Sequence, residues 1–206
     1  MTGPGQAAPG PARRRRYHHG DLRDALIDTT IELLGERGAE AFSMAEASRR
    51  LGVAASAPYR HFADRDALLA AVALRAADLL GRQLDREATS GPSAQRLAAA
   101  ARTYVRFAHD QQPLFRALIG SGLDKDYHPE IARAAQAIGV AFISPAAQLV
   151  DGDETAAARL ASAIVATAHG HAVLMLDGTF GSGHRAVEAA CEQAADATLA
   201  LIAGWR

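Results

Sequence analysis

The chain has 206 residues, enough to bury a sizeable core as one large domain or as a small one fused to a larger one. It is 49% hydrophobic and 22% charged with a formal net charge of −1, so any case for a nucleic-acid partner has to be local. Cys191 is the only cysteine, which excludes an intrachain disulfide and a cysteine-based metal cluster.

Alanine and leucine dominate and Lys125 is the single lysine. This is the profile of an all-α protein, because alanine, leucine and arginine are good helix formers. No apolar run approaches the roughly 18 residues of a membrane span. The arginines near the start precede no apolar segment of the kind a secretory signal carries. The expectation is a soluble, cytoplasmic chain with no membrane partner.

Residues 1–12 are rich in Gly, Pro and Ala and offer nothing to pack, so a disordered tail is expected there. Arg13, Arg14, Arg15 and Arg16 follow as an unbroken basic run, which taken alone reads as a solvated tail. Helical periodicity begins at Asp21, a candidate N-cap, and places Leu22, Leu26, Thr29, Leu33 and Leu34 on one face. Gly35 and Gly38 end that helix. Ser43 opens a short second helix with Glu46 at the capping-box position, and Gly52 stops it in a tight turn.

The next segment, from Val53 to His61, contains Pro58, followed at once by Tyr59, Arg60 and His61. A helix starting near Ala55 or Ser56 puts Pro58 within or just after its first turn, where few intrahelical N–H bonds are lost. Pro58 then fixes where the helix begins, and Ala55, Ser56 and Ala57 leave room for close backbone approach. Asp64 caps a long helix running to about Glu87. Beyond the Gly91-Pro92 break, helices are expected at 93–110, 113–119, 129–150 with a break or kink at Pro145, 154–177 and 184–204. Loops 120–128 and 178–183 are Gly-rich, and no repeat of solenoid length is present.

Two short helices joined through Gly52 and preceded by a longer one make a helix-turn-helix arrangement. In it the second short helix enters the major groove by its N-terminal residues. A buried helical hairpin would not normally carry Arg49, Arg50, Arg60, His61 and Arg65 together. Gly52-Val53, then Pro58-Tyr59-Arg60-His61-Phe62, Asp64-Arg65-Asp66 and Leu68-Leu69, with Phe42-Ser43 upstream, resemble the DNA-binding domain of the TetR family of transcriptional regulators. The resemblance spans residues 21–69.

The resemblance implies a basic arm over 1–20, a three-helix DNA-binding domain over 21–68 and a helical ligand-binding and dimerisation domain over 69–206. It also implies that Tyr59 and His61 contact phosphates, that Arg65 stands where the family usually has lysine, and that Ser43 both caps its helix and meets phosphate. Ser56 and Ala57 fall at base-facing positions. No Arg, Gln or Asn stands among those positions, so Arg60 is expected to contribute to readout, and Ala54 stands where the family commonly has a Ser or Thr cap. Beside this, Arg13–Arg16 become a candidate DNA arm. Phe42, Leu26, Leu51, Val53, Phe62 and Leu68 are assigned to the small core.

In the larger domain, QQPLFRALIG and Ala168-His169-Gly170 resemble the TetR branch whose C-terminal domain carries a Trp-His-Gly signature, with alanine in place of the tryptophan here. The alanine-rich helices at 154–177 and 184–204 are expected to form a homodimer interface. Tyr104, Phe107, Phe115, Phe142, His169, Leu174 and Met175 are candidate walls of a pocket for a small hydrophobic effector. His169 and His171 are two apart on a helix, so they cannot chelate one ion from it. No cofactor is expected. The competing reading, a small helical metal-binding or hydrolytic enzyme using the histidines, finds no H-E-x-x-H, G-x-S-x-G or phosphate loop. The expected function is thus that of a homodimeric repressor, not an enzyme, released from double-stranded operator DNA by a small molecule.

Overall fold

A computed structural model of the protein describes residues 19–38, 41–87, 91–120 and 129–205. Arg13–Arg16 and the expected tail lie outside them, as do residues 121–128 of the loop expected over 120–128. Among the described residues the regular elements are helical: α1 (His19–Arg37), α2 (Met44–Leu51), a 3₁₀ turn (Pro58–Arg60), α3 (Arg65–Glu87), α4 (Ser93–Asp110), α5 (Gln112–Gly120), α6 (Pro129–Leu149), α7 (Glu154–Leu176) and α8 (His184–Ala203).

Helix α1 begins at His19, two residues before the expected cap. It runs through Gly35 to Arg37, so Gly38 alone ends it, with φ 77° and its N–H on the Leu34 carbonyl. Gly35 instead allows close packing, since a Cβ there would come within 3.1 Å of Pro113 Cγ on α5. Asp24 and Asp28 of α1 pair with Arg75 of α3. Leu26, Thr29, Leu33 and Leu34 are buried, and the Thr30 hydroxyl is satisfied by the Leu26 carbonyl at 2.7 Å.

Helix α3 packs into both ends of the molecule. Leu68, Leu69 and Val72 pack with Leu26, Phe42 and Phe62 near its start, while Ala76, Leu80 and Leu84 pack into the bundle further along. The division expected between residues 68 and 69 therefore falls inside a helix, and one hydrophobic cluster runs across it. Helix α6 continues through Pro145 instead of breaking. Its Pro145 is buried.

In the bundle, α4 packs most extensively against α8, then against α7, with α6 on α7 and on α3. Alanines at these contacts let the helices approach closely, and Phe107, Phe115 and Phe142, each at most 1% exposed, fill the space between. Two bidentate ion pairs fasten α4 to α8: Arg102 to Glu192 at 2.8 Å, and Arg106 to Glu188 at 2.7 and 2.8 Å. Helix α7 corrects the sequence expectation about apolar runs. Its 18-residue window of mean hydropathy 1.2 is apolar enough to span a bilayer by length and composition, since such a window tolerates Arg159 and the histidines. Leu160, Ile164, Ala168 and Ala172 line the core, as in the central helix of a bundle, but only 33% of the window is buried.

The guanidinium groups of Arg102 and Arg106 hold Glu192 and Glu188 below the usual carboxylate range, chiefly through these hydrogen bonds. A carboxylate whose folded pKa is depressed contributes stability above its unfolded value, near about 4.3, and that contribution is lost as pH falls through the folded value. Replacing both acids with glutamine should therefore flatten the fall in melting temperature between neutral pH and about pH 3. Identical acid slopes for the variant and the parent would show that the pairs carry no such linkage.

Candidate nucleic-acid interface and effector cleft

The second helix is set by three local devices. The Ser43 side chain accepts from the Glu46 N–H at 3.2 Å, capping α2 at its start. The Glu46 carboxylate meanwhile faces Arg49 and Arg37. At the other end Gly52 takes φ 66°, its N–H reaching the Arg49 carbonyl and the Val53 N–H reaching that of Ser48 at 3.0 Å. That crossed pair is a Schellman closure, which requires a left-handed residue. Met44, Ala47 and Ser48 face inward and Arg49 and Arg50 outward.

The helical segment after Gly52 is shorter than expected. The Ala57 N–H closes a turn on the Ala54 carbonyl at 2.9 Å, and regular structure begins only at Pro58, for three residues. Pro58 has no N–H to give that carbonyl, so an α-helical register starting at Ala55 lacks its first bond. The Phe62 N–H then bonds the Pro58 carbonyl at 3.0 Å, and both of those side chains are buried. Tyr59 and Arg60 between them are turned outward, Tyr59 to 57% exposure. Ala54, Ala55 and Ser56 are exposed, and Ala57 and His61 half-buried. Ala54 provides no side-chain cap, as its chemistry dictates.

The arginines of this region fall into two groups. Arg50 is held bidentately by Glu36 of α1 at 2.7 Å, and that hydrogen bonding lowers the Glu36 pKa. Arg49 is paired with Glu46, so neither of these arginines stands beside the turn as unpaired charge. Arg65 stacks over the Phe42 ring with its Nε on the Phe42 carbonyl at 3.2 Å and a terminal nitrogen near Asp66. It is placed at the start of α3 beside the Asp64 cap, which accepts from the Ala67 N–H at 2.8 Å. The sequence pattern does not single out Arg23, whose guanidinium lies 5.3 Å from the centre of the Phe62 ring and is exposed on the first turns of α1. Its position between Leu22 and Leu26 of the apolar repeat of α1 is the one signal that could have found it. Of the six assigned core residues, Phe42, Leu26, Phe62 and Leu68 are buried, while Leu51 and Val53 are half-buried at the rim of the turn.

The second candidate site lies between α6 and α7. A cleft of about 440 Å³ is lined by Gly139, Phe142 and Ile143 on one side and by Ala161, Ser162, Val165 and His169 on the other. Of the seven candidate wall residues only Phe142 and His169 reach it. Tyr104 and Phe115 stand behind His169: the Tyr104 hydroxyl is 3.2 Å from His169 Nδ1, and the Phe115 ring centre 5.9 Å from the imidazole. Burial pushes the Tyr104 pKa up to about 12. Phe107 and Met175 belong to the core. Leu174 is 46% exposed, because two residues from buried Ala172 is nearly the opposite face of a helix. The cleft is also narrower in origin than expected, with α4 and α5 behind it and not on its wall. His171 donates from Nδ1 to the Thr167 carbonyl at 2.8 Å and stacks on Phe180. Among the described residues no group of three or more His, Cys, Asp or Glu side chains is placed to hold a metal ion.

The profile of bacterial regulatory proteins of the tetR family matches residues 26–72, and that of the tetracyclin repressor-like C-terminal domain matches residues 97–198. The chain belongs to the TetR family. No curated protein matches it. Among solved structures, a protein of unknown function from Rhodococcus sp. RHA1 is 27% identical, with 90% of this chain and 97% of that one covered and a TM-score of 0.76. The TetR family transcriptional regulator PfmR from Thermus thermophilus is 17% identical over 85% and 97%, TM-score 0.67. A regulatory protein in the tetR family from Rhodococcus RHA1 is 16% identical over 87% and 96%, TM-score 0.68. The last two are likenesses of fold. As a member of this family the protein is a DNA-binding transcriptional regulator with a helix-turn-helix head.

The Schellman turn sets the angle at which α2 hands over to the Pro58 turn. Gly52→Ala forces a Cβ into the left-handed region and should cost about 1 kcal/mol of unfolding free energy. Urea denaturation measures it, and an unchanged midpoint would mean the turn relaxes to another conformation.

Proposed function

We propose that the protein is a homodimeric repressor that leaves its operator when a small molecule occupies the α6–α7 cleft. The observation that carries the DNA-binding half is the outward Tyr59–Arg60 pair, held between buried Pro58 and Phe62. A phenol and a guanidinium fixed in that way suit contacts to phosphate, with Ser43, His61 and Arg65 flanking them. Ala55, Ser56 and Ala57 on the preceding turn would face base edges, and Arg13–Arg16 would follow the backbone or minor groove as an arm.

Two recognition turns must reach successive major grooves, about 34–36 Å apart. The outward face of α7 supports dimerisation, because Ala158, Ala166 and Leu174 leave apolar surface exposed there that a second copy would bury. An effector that binds better to a conformer with another spacing weakens DNA binding by its differential affinity. Helix α5 is the route we assign to that coupling: Phe115 touches the His169 ring, and Pro113, two residues earlier, abuts Gly35 of α1.

Competition binding to the upstream DNA of its own gene and to random duplex, across a salt series, tests the reading. Tyr59→Phe keeps the ring and removes the hydroxyl, so affinity should fall by about 0.5–1.5 kcal/mol on both duplexes alike. Ser56→Ala should instead alter preference among operator variants. If Tyr59→Phe changed sequence preference and Ser56→Ala changed nothing, the assigned orientation of the turn would be wrong. Deleting residues 1–16 should leave the fold intact and make the dependence of log K on log salt shallower. An unchanged slope would return the arginine run to an idle tail.

A further inference from the structure

We propose that Arg23, on the first turns of α1, grips a phosphate of the DNA backbone beside the Pro58 turn. This adds a residue to the DNA face described above and rests on the DNA-binding half of that reading. Arg23 is exposed, and among the described residues it has no hydrogen bond and no carboxylate within ion-pair distance. The other arginines of the head are placed differently. Arg49 is paired with Glu46, Arg50 with Glu36, and Arg75 with Asp24 and Asp28, while Arg65 stands near Asp66 and Arg37 3.8 Å from Glu46. Asp24, next to Arg23 in the chain, gives its carboxylate to Arg75 at 3.0 Å instead. Among the described residues of the head, Arg23 and Arg60 are thus the arginines without an acidic partner.

Placement joins this charge to the exposed turn. The Arg23 Cζ sits 5.3 Å from the centre of the Phe62 ring, and the Phe62 N–H is bonded to the Pro58 carbonyl at 3.0 Å. Phe62 and Pro58 are both buried, so the ring is a fixed platform, and the outward Tyr59 and Arg60 lie between those two residues in the chain. Helix α1 packs against that same turn. A guanidinium over an aromatic ring uses its face in the contact and keeps its N–H edge, whose fork geometry matches two oxygens of one phosphate. The ring also restrains the side chain, so less rotamer freedom is lost when the phosphate arrives. Arg65 is held in a similar way, 5.8 Å from the centre of the Phe42 ring, but its Nε already donates to the Phe42 carbonyl. A phosphate contact carries no sequence information, so Arg23 adds affinity and not base preference.

Competition binding of the full chain to the upstream duplex and to random duplex, from about 50 to about 200 mM salt, compares the parent with Arg23→Gln, Arg23→Lys and Arg82→Gln. Each phosphate contact contributes about 0.9 to the slope of log K against log salt, and a dimer carries two Arg23 side chains. Arg23→Gln should therefore make the slope shallower by about 1.8. Affinity should fall about 100-fold at about 50 mM salt, narrowing to about ten-fold at about 200 mM, and equally on both duplexes. Arg23→Lys keeps the charge and should restore the slope and most of the affinity. Arg82→Gln makes the same charge change on the bundle half of α3 and should leave the slope at the parent value. An unchanged slope for Arg23→Gln, whatever its melting temperature, would reduce Arg23 to a packing partner of Phe62 and overturn the proposal. An equal slope change for Arg82→Gln, or a loss confined to the upstream duplex, would overturn it too. In each of these results the parent still binds DNA, so the operator reading stands; a parent that bound neither duplex would end both.

Discussion

Helix α3 is a structural member of both halves of the molecule, and that shared helix is the constraint on which the rest depends. Its first turns carry Leu68, Leu69 and Val72 into the core that holds Phe42 and Phe62, and its later turns carry Leu80 and Leu84 into the bundle. A regular helix cannot bend freely between the two, because each interior residue is tied by its own hydrogen bond. Any displacement of the bundle end of α3 is therefore felt at the cap formed by Asp64, next to Arg65 and close in sequence to Tyr59. Arg75 adds a second tie, holding α3 to Asp24 and Asp28 on α1. The helix-turn-helix head is thus oriented by the bundle and not by a flexible linker.

Much of the head is legible in the sequence because its geometry is made by residues whose chemistry is local. Ser43 caps, Gly52 takes a left-handed conformation and Asp64 caps again, each within a few residues of the group it serves. The ends of α4, α6, α7 and α8 lie close to expectation for the same reason. Proline is the less transparent residue. The pattern around Pro58 suggests a helix already under way, yet the register begins at it. The pattern around Pro145 suggests a break or kink, and the helix runs through it without a break. In both places the outcome turns on whether a neighbouring carbonyl finds another donor or the surrounding packing compensates, which no local pattern encodes.

The cleft is less legible than the head. Aromatic residues at helical spacing mark the interior without saying which part of it is empty. By that criterion Phe107, buried in the core, and Leu174, facing outward, look no different from the true wall residue Phe142. The residues that make the cavity are small ones, Gly139, Ala161 and Ser162, and a void made by missing side chains leaves no periodic signature. Pairings across long separations are equally hidden. Arg50 with Glu36 and Arg106 with Glu188 join residues 14 and 82 apart in sequence, and only the fold brings them together.

Those pairings bear on how the proposed DNA face would work. The net charge of −1 leaves no general attraction to a polyanion, and Arg49 and Arg50 are committed to Glu46 and Glu36. The recognition segment is a single turn whose candidate base-facing positions are Ala55, Ser56 and Ala57. A good bidentate contact to a base is worth about 1–3 kcal/mol of discrimination, and none of these three side chains can make one. On the proposed reading, affinity comes mostly from phosphate contacts by Tyr59, Arg60 and their neighbours. Specificity then comes from matching two such turns to half-sites at a fixed separation and from the shape of the DNA between them. A protein that reads spacing more than bases is sensitive to small changes in its own dimer geometry. On the same proposed reading, control through a bundle cleft, carried by α5 and α3 to the head, is the form of regulation such an interface permits.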